Sequence, residues 1–193
     1  MSDPGLLAWG RAAAARRRGG PVLWLFTDTR RLPDPCPSAR LLPVGRAGVV
    51  LRHDDHPDRV AIGRDLARIC RQRRLALVVA GDSRLAASLG AGVHLRGGHW
   101  PGQVRRRGLI TSSAHDSAQL RRARRSGAAL AFLSPAFPTA SHPGEPALGA
   151  VRWNRLARSA GMAVAALGGI DGKTIGRLRH CAGAAAIGAL AAG

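Results

Sequence analysis

The 193-residue sequence predicts an α/β fold, a single-domain (β/α)8 TIM barrel that is compact, with shortened helices after strands 1 and 8. Short apolar runs alternate with helical stretches, which indicates βα units and a parallel sheet. Eight such runs can be counted, and glycine-rich turns follow the seventh and eighth. A doubly wound sheet is the alternative, but its phosphate-binding glycines usually follow the first strand. The first turn here, residues 27–30, contains no glycine.

The predicted strands are residues 22–26, 48–51, 75–80, 92–95, 109–112, 128–133, 163–167 and 184–187. Helices are predicted over 58–73, 83–89, 117–126, 149–160 and 173–180. The first of these has an apolar stripe of Val60, Leu66, Ile69 and Cys70. Four prolines within 30–43 shorten the helix after the first strand, because proline breaks a helix interior. We divide the chain into an N-terminal helical extension, 1–20, packing against the barrel bottom, and the barrel domain, 21–193.

The formal net charge of +19 is the most unusual feature of the composition. It points to a polyanionic partner such as nucleic acid, an acidic membrane surface or a phosphorylated metabolite. A genome rich in G and C would also produce it, since Arg, Ala, Gly and Pro are over-used together. The arginines are spread over every predicted helix, and Tyr is absent, so base-stacking aromatic residues are scarce. We therefore expect a small phosphorylated substrate as partner and no nucleic acid.

The three cysteines, Cys36, Cys70 and Cys181, form no CxxC pair and indicate neither a disulfide framework nor a zinc site. Their use fits a reducing cytoplasm. No apolar run approaches the roughly 18 residues of a membrane span. We expect a cytoplasmic protein without a membrane partner, and leave open whether it forms a homodimer.

The turns after the seventh and eighth strands carry Gly168, Gly169 and Gly188. Glycine lets backbone amides approach an anion without obstruction from Cβ, and a following helix start adds a positive dipole end. Barrels often bind phosphate at this place. Tight βα turns would also explain these glycines. The sequence predicts a phosphate site at the carboxyl face.

The segment AFLSPAFPTASHPG at 131–144 resembles the "GPxFPTxTKPG" loop of the thiamine phosphate synthase/TenI family. Other landmarks of that family follow in order: LWLFTD (23–28), GVVLR (48–52), GAGVHL (90–95), SAH (113–115) and ALGGI (166–170). The resemblance spans residues 22–190 and implies a thiamine-biosynthesis barrel that binds a thiazole phosphate. It implies that the substrate phosphate lies near Thr139, Ser141, His142, Gly168, Gly169 and Gly188, with Ser113 and Phe137 as further substrate-binding residues.

The chain departs from the synthase pattern where the pyrimidine diphosphate should bind. The synthases couple that diphosphate to the thiazole and expel pyrophosphate, so cations must stabilise the leaving group. The family's "QLREK" corresponds to VLRHD at 50–54, which keeps Arg52 but places Asp54 at the lysine. At the metal-holding positions Asp82 lies one residue late and His99 replaces an aspartate. Asp82 and Asp54 remain as candidate ligands for Mg²⁺, the one cofactor expected, and only if synthase activity is retained.

His115 matches the histidine that closes strand five in the family, and imidazole titrates near neutral pH. In the TenI branch a histidine is thought to move protons during a thiazole tautomerisation. The resemblance thus implies His115 and Arg52 as catalytic residues, although His115 could also cap a helix. We expect a TenI-like enzyme, a tautomerase or diverged synthase homologue. The alternatives are a thiamine phosphate synthase, which is a transferase, and a non-catalytic basic barrel serving a regulatory or nucleic-acid partner.

Overall fold

A computed structural model describes residues 2–17, 19–102, 108–139, 144 and 146–192. Its eight parallel strands pair in chain order, and β1 pairs with β8 to close a barrel. The strands are β1 (Leu23–Phe26), β2 (Ala47–Leu51), β3 (Ala76–Ala80), β4 (Gly92–Leu95), β5 (Ile110–Ala114), β6 (Leu130–Leu133), β7 (Ala163–Leu167) and β8 (Gly183–Ala186). This confirms the predicted (β/α)8 barrel, and the predicted bounds of β4 and β7 are reproduced.

The outer layer contains the helices α1 (Pro4–Arg16), α2 (Cys36–Leu41), α3 (Arg59–Arg73), α4 (Ser83–Ser88), α5 (Ser117–Arg125) and α6 (Gly149–Ser159). Two 3-10 turns, Ile175–Arg177 and Gly188–Leu190, follow β7 and β8. The helix after β1 has six residues, and β8 is followed by a three-residue turn, as predicted. Among the described residues, no helix has the length and apolar character needed to cross a membrane.

Aromatic rings fill the interior of the barrel. Trp24 and Phe26, two positions apart on β1, both contact Phe132 of β6 edge to face, with ring centroids 5.3 and 4.8 Å apart. Gly48 on β2 makes room for the indole, because a Cβ there would lie 2.5 Å from the Trp24 ring. His94 packs against Phe26 at 5.5 Å and closes the core towards the carboxyl ends of the strands.

The helix predicted over 173–180 is wrong, because that segment forms only the 3-10 turn Ile175–Arg177. The Asp171 carboxylate accepts hydrogen bonds from the backbone amides of Lys173 and Thr174, both at 2.8 Å. The Thr174 hydroxyl donates to the carbonyl of Gly169 at 2.9 Å. Side chains therefore satisfy backbone groups that a helix would otherwise pair internally.

Helix α1 runs along the flank of the barrel, which corrects the expectation that it would cover the bottom. At its start, the Asp3 amide donates to the carbonyl of Ala189, just after β8, at 2.9 Å. At its end, the guanidinium of Arg17 donates to the carbonyl of Ala182, just before β8. The helix is therefore antiparallel to β8, in the layer that a helix after β8 would occupy.

The buried face of α1 consists of Leu6, Gly10 and Ala13. Gly10 brings the helix close to the sheet, since a Cβ there would lie 2.3 Å from Cδ1 of Leu23 on β1. With only a 3-10 turn after β8, the outer surface of β8 and β1 needs another cover, and α1 provides it. The division of the chain at residue 20 stays a prediction.

The predicted apolar stripe of α3 is confirmed for three of its four residues. Leu66, Ile69 and Cys70 are buried, whereas Val60 is 46% exposed. Val60 lies in the first turn of the helix, and the buried residues of α3 begin only at Gly63. All three cysteines of the chain are free thiols.

Candidate active site

A cavity of about 480 Å³ opens at the carboxyl ends of the strands. Its lining includes residues that directly follow β2, β4, β5 and β7, as expected for the active-site end of this fold. Six of the residues predicted from the sequence line it: Arg52, Asp54, Ser113, His115, Thr139 and Gly168. The tertiary structure thus brings together predicted residues from both halves of the chain.

Four other predicted residues do not line this cavity: Asp82, Phe137, Gly169 and Gly188. Gly188 is exposed, and its neighbour Ile187 lines the cavity instead. Phe137 is 5% exposed, because its ring packs inward with the Arg177 guanidinium 5.1 Å from the ring centroid. The predicted residues Ser141 and His142 lie outside the described residues.

The turn after β7 supports the loop that follows β6. The amide of Ala136 donates to the carbonyl of Leu167 at 2.9 Å, and the amide of Phe137 donates to that of Gly168 at 3.0 Å. Gly169, with a φ of +62°, packs so closely that a Cβ would lie 2.5 Å from the Pro138 carbonyl oxygen. Gly168 therefore borders the cavity, whereas Gly169 allows the loop that carries Thr139 to approach.

Ser134 holds His115 at the junction of β5 and β6 by two contacts, the longer one between the Ser134 hydroxyl oxygen and Nδ1 of His115 at 3.4 Å. In the shorter one, Nδ1 of His115 lies 2.8 Å from the backbone carbonyl oxygen of Ser134. A carbonyl oxygen can only accept, so Nδ1 carries the proton and Nε2 of the neutral ring has a free lone pair. The side chain is exposed and lines the cavity. Among the described residues, Nε2 makes no hydrogen bond, so it is available to exchange a proton with a ligand.

Ser113 lies beside His115 along β5 and also lines the cavity. Its hydroxyl oxygen accepts a hydrogen bond from the Gly97 amide at 3.1 Å, which ties β5 to the turn after β4. A hydroxyl that accepts one hydrogen bond can still donate another. Ser113 is therefore placed to donate to a ligand in the cavity, and its substrate contact stays a prediction.

His94 forms the floor of the cavity and is only 3% exposed. Its Nδ1 lies 2.9 Å from the hydroxyl oxygen of Thr111. Burial, followed by the positive charges of Arg52 and Arg96, lowers the pKa of this imidazole to about 3. His94 is therefore neutral at physiological pH.

The backbone at Arg52 is fixed by Thr27 and His53, a buried pair just after the ends of β1 and β2. The Arg52 amide donates to the hydroxyl oxygen of Thr27 at 2.9 Å, and that oxygen lies 2.8 Å from Nδ1 of His53. Nε2 of His53 lies 3.1 Å from the Pro33 carbonyl oxygen, so Nε2 carries the ring proton. Burial lowers the pKa of His53 and keeps the ring neutral. This network holds the start of the loop that presents the Arg52 guanidinium.

Asp54 and Asp82, the candidate metal ligands, are both paired with arginine. The Asp54 oxygens lie 3.3 Å from Nη2 of Arg59 and 2.5 Å from Nη2 of Arg96. Asp82 caps α4 by accepting the Leu85 amide at 2.9 Å and lies 3.6 Å from Nη1 of Arg59. Mg²⁺ is usually held through one or two carboxylates, and both of these carboxylates are instead engaged by guanidinium groups.

No group of three His, Cys, Asp or Glu side chains that could share a metal ion occurs within the described ranges. His99, which replaces a metal-holding aspartate in the resemblance, is exposed on the turn after β4. The donor set at the ends of β2, β3 and β4 therefore does not fit Mg²⁺.

Sequence reasoning missed two cationic residues of the cavity, Arg31 and Arg96. Arg96 follows β4 directly, and residues just after barrel strands face the site, so this position could have been identified. Arg31 carries no such signal. It reaches the cavity because the turn after β1 folds back, with the Arg31 guanidinium 3.0 Å from the Asp28 carboxylate. A second cavity of about 470 Å³ shares Arg31, Arg52 and Asp54 with the first.

The motifs and the site geometry agree with a comparison against known families. The family model described as thiamine monophosphate synthase matches residues 38–190. The chain belongs to the thiamine monophosphate synthase family. The resemblance inferred from the strand-end motifs is confirmed.

Solved structures show the same fold. A thiamine phosphate pyrophosphorylase from Pyrococcus furiosus is 22% identical, with a TM-score of 0.69 over 86% of this chain and 85% of that one. A second thiamine phosphate pyrophosphorylase, from Bacteroides thetaiotaomicron, is 17% identical, with a TM-score of 0.56 over 88% and 84%. A citrate synthase variant also matches, at 13% identity and a TM-score of 0.58 over 93% and 88%. At such identities the likeness shows the fold alone.

Family membership supports a thiamine-phosphate-synthase-type barrel that acts on small phosphorylated substrates of thiamine biosynthesis. It gives no support to the alternative of a nucleic-acid-binding barrel. The cavity is lined by His115, Thr139 and Gly168, and Asp54 at its rim is ion-paired with Arg59 and Arg96.

Proposed function

We propose that this member of the thiamine monophosphate synthase family is TenI-like: it binds a thiazole phosphate and moves a proton on the ring without a metal ion. The observation that carries the proposal is the 2.8 Å hydrogen bond between Nδ1 of His115 and the Ser134 carbonyl. It leaves Nε2 as a base that can take a proton from a ligand carbon and return it to another.

The phosphate of the ligand is assigned to the side formed by β6, β7 and β8. Thr139 and Gly168 line the cavity there, and the backbone at Gly168 has a φ of +87° that favours glycine. A ligand whose phosphate lies at this turn would extend its ring towards His115, which borders the same cavity. Ser113 would then contact the ring from β5.

The absence of a fitting metal site supports proton transfer over coupling. A proton shift on one molecule expels no diphosphate, so it needs no divalent cation to stabilise a leaving group. The two candidate ligands in this chain, Asp54 and Asp82, are instead held by Arg59 and Arg96. The described residues thus meet the needs of the first reaction more fully than those of the second.

The test is conversion of the thiazole carboxylate phosphate tautomer in EDTA by the purified protein and by H115N. Asparagine places an amide N–H near the position of Nδ1, so it can keep the bond to Ser134 while the base is lost. General acid–base catalysis contributes typically 10²–10⁴-fold, so we expect kcat to fall about 100-fold or more, with KM within about threefold. H180N, which changes an exposed histidine before β8, is the matched control and should retain the full rate.

No turnover of the tautomer by the wild-type protein, in EDTA or with Mg²⁺, would refute the proposal. A rate in H115N equal to that of the wild type would remove His115 from the chemistry. A loss of rate in H180N as large as in H115N would show that the effect comes from the fold.

A thiamine phosphate synthase is the second candidate, favoured by the family description and by Arg52, which matches the arginine of the family's "QLREK" motif and lines the cavity. It predicts that product forms only when Mg²⁺, the pyrimidine diphosphate and the thiazole phosphate are all present. Pyrophosphate should then appear in equal amount to thiamine phosphate. Measuring pyrophosphate release with and without EDTA separates the two candidates.

A further inference from the structure

Arginine side chains occupy the part of the cavity that lies across the barrel from the Gly168 turn. Arg31, Arg52 and Arg96 all line it, and the ends of β2 and β4 carry the last two. Arg96 pairs with Asp54 at 2.5 Å. The Arg52 guanidinium makes no hydrogen bond or ion pair to any residue that the structure describes. One guanidinium is therefore available to a ligand, and another is bound to an internal carboxylate.

Arg52 and Arg96 act on the same place. Both positive charges bear on the buried His94 imidazole, and after burial they are the causes that lower its pKa. The His94 imidazole is therefore neutral, and it lines the same cavity as the two arginines. An anion above His94 can interact with both arginines at once.

The charge balance of this cluster fits a singly charged ligand group. Of the three arginines that line the cavity, Arg31 is paired with Asp28 and Arg96 with Asp54. Arg59 lies beside Asp82. The Arg52 guanidinium is left as one positive charge in excess among the described residues that line the cavity. A carboxylate would neutralise that excess. A diphosphate, with several negative charges, would require a further cation.

Asp54 is held in a way that allows Arg96 to change partners. One oxygen of Asp54 pairs with Arg96 and the other lies 3.3 Å from Arg59. If Arg96 releases Asp54 to bind a ligand carboxylate, Arg59 still compensates the charge of Asp54. The exchange replaces one carboxylate by another, so no charged group is left unpaired.

We propose that Arg52 and Arg96 form a carboxylate-binding subsite that holds the substrate's carboxylate directly, without a metal ion. Asp54 is the internal carboxylate that occupies Arg96 until the ligand binds. The subsite deepens the proposed function and rests on it, since a carboxylated thiazole phosphate presents its phosphate and its carboxylate at different ends. The phosphate then lies at Gly168, the carboxylate at the arginines and the ring beside His115.

The experiment compares two ligands that differ by one group: the carboxylated thiazole phosphate and the thiazole phosphate without the carboxyl. Their affinities are measured by isothermal titration calorimetry in EDTA, and again with Mg²⁺. Hydrogen bonds to a charged group change binding by about 10- to 100-fold, so the wild type should prefer the carboxylated ligand by at least about tenfold. The preference should be the same with Mg²⁺.

In R96Q the preference should fall below about threefold, while affinity for the ligand without the carboxyl stays within twofold. R158Q removes an exposed arginine of α6 and serves as the control for net charge; its preference should equal that of the wild type. D54N removes the internal competitor, so it should raise the preference about threefold or more. Opposite effects of R96Q and D54N cannot both come from a damaged fold.

A wild-type preference that requires Mg²⁺, or one unchanged in R96Q, overturns the subsite. A further measurement tests whether inorganic pyrophosphate competes with the carboxylated ligand in EDTA. If micromolar pyrophosphate displaces that ligand, the arginines bind a diphosphate instead. The subsite and the proposed function fail differently. A preserved preference without tautomer conversion refutes only the reaction, and conversion with an unchanged preference in R96Q refutes only the subsite.

Discussion

His94 makes the stability of the barrel depend on pH in a way that can be calculated. Its pKa is about 3 in the native protein against 6.5 for the unperturbed group. Between these values the unfolded chain binds a proton that the native state does not, so its stability rises with pH. The contribution is complete above pH 6.5 and is lost progressively as the pH falls from 6.5 towards 3.

At pH 5 the native imidazole is still neutral, whereas the unfolded one is almost fully protonated. With these two pKa values, the free energy of unfolding should decrease by about 2 kcal/mol between pH 8 and pH 5 through His94 alone. His53, whose pKa is also lowered by burial, acts in the same direction.

The assay is urea unfolding at pH 8, 6 and 5, followed by tryptophan fluorescence, for the wild type and H94N. The asparagine amide can replace the bond to Thr111 but does not titrate in this range. H94N should be less stable at pH 8, because a packed ring is lost, yet its stability should fall by about 2 kcal/mol less between pH 8 and pH 5. His53 and the carboxylates are common to both proteins and cancel in the comparison. Parallel pH profiles would refute the assignment of a buried neutral imidazole.

Two glycine substitutions test the packing that positions the site. G169A should raise KM for the phosphorylated ligand about tenfold or more, with a smaller effect on kcat. The reason is that its Cβ would lie 2.5 Å from the Pro138 carbonyl oxygen and displace the loop that carries Thr139. An unchanged KM in steady-state kinetics would contradict this. G10A should lower the free energy of unfolding by about 1–2 kcal/mol in urea titrations, although alanine favours a helix, because overpacking against Leu23 outweighs propensity; a stabilised variant would show that α1 does not pack tightly.

The strands and their order could be predicted because they depend on local patterns. Each apolar run lies within a single segment of four to five residues, as in β7 (Ala163–Leu167), and both faces of a parallel barrel strand are buried. The segment 173–180 does not form the predicted helix, because Asp171 and Thr174 satisfy backbone groups of this region by side-chain hydrogen bonds. Local propensity does not register that competition.

The site, like the fold, could be predicted only where it depends on local sequence patterns. Arg52, Ser113 and His115 could be placed because residues at the carboxyl ends of barrel strands face one cavity. The roles of Gly169 and Phe137 could not, since both pack against other loops rather than the cavity. Whether a side chain lines a cavity or supports its wall depends on contacts between loops that are distant in sequence.

The sequence by itself determined the barrel, the order of its strands and the family, because hydrophobic period and strand-end motifs are properties of contiguous segments. Only the tertiary structure decided how charges are paired at the mouth of the barrel. Asp54 lies on the loop after β2, Arg59 begins α3, and Arg96 lies on the turn after β4, so the pairing of Asp54 with Arg96 depends on where two loops distant in sequence meet in space. That pairing engages the carboxylate of Asp54 with two guanidinium groups at the rim of an arginine-lined cavity.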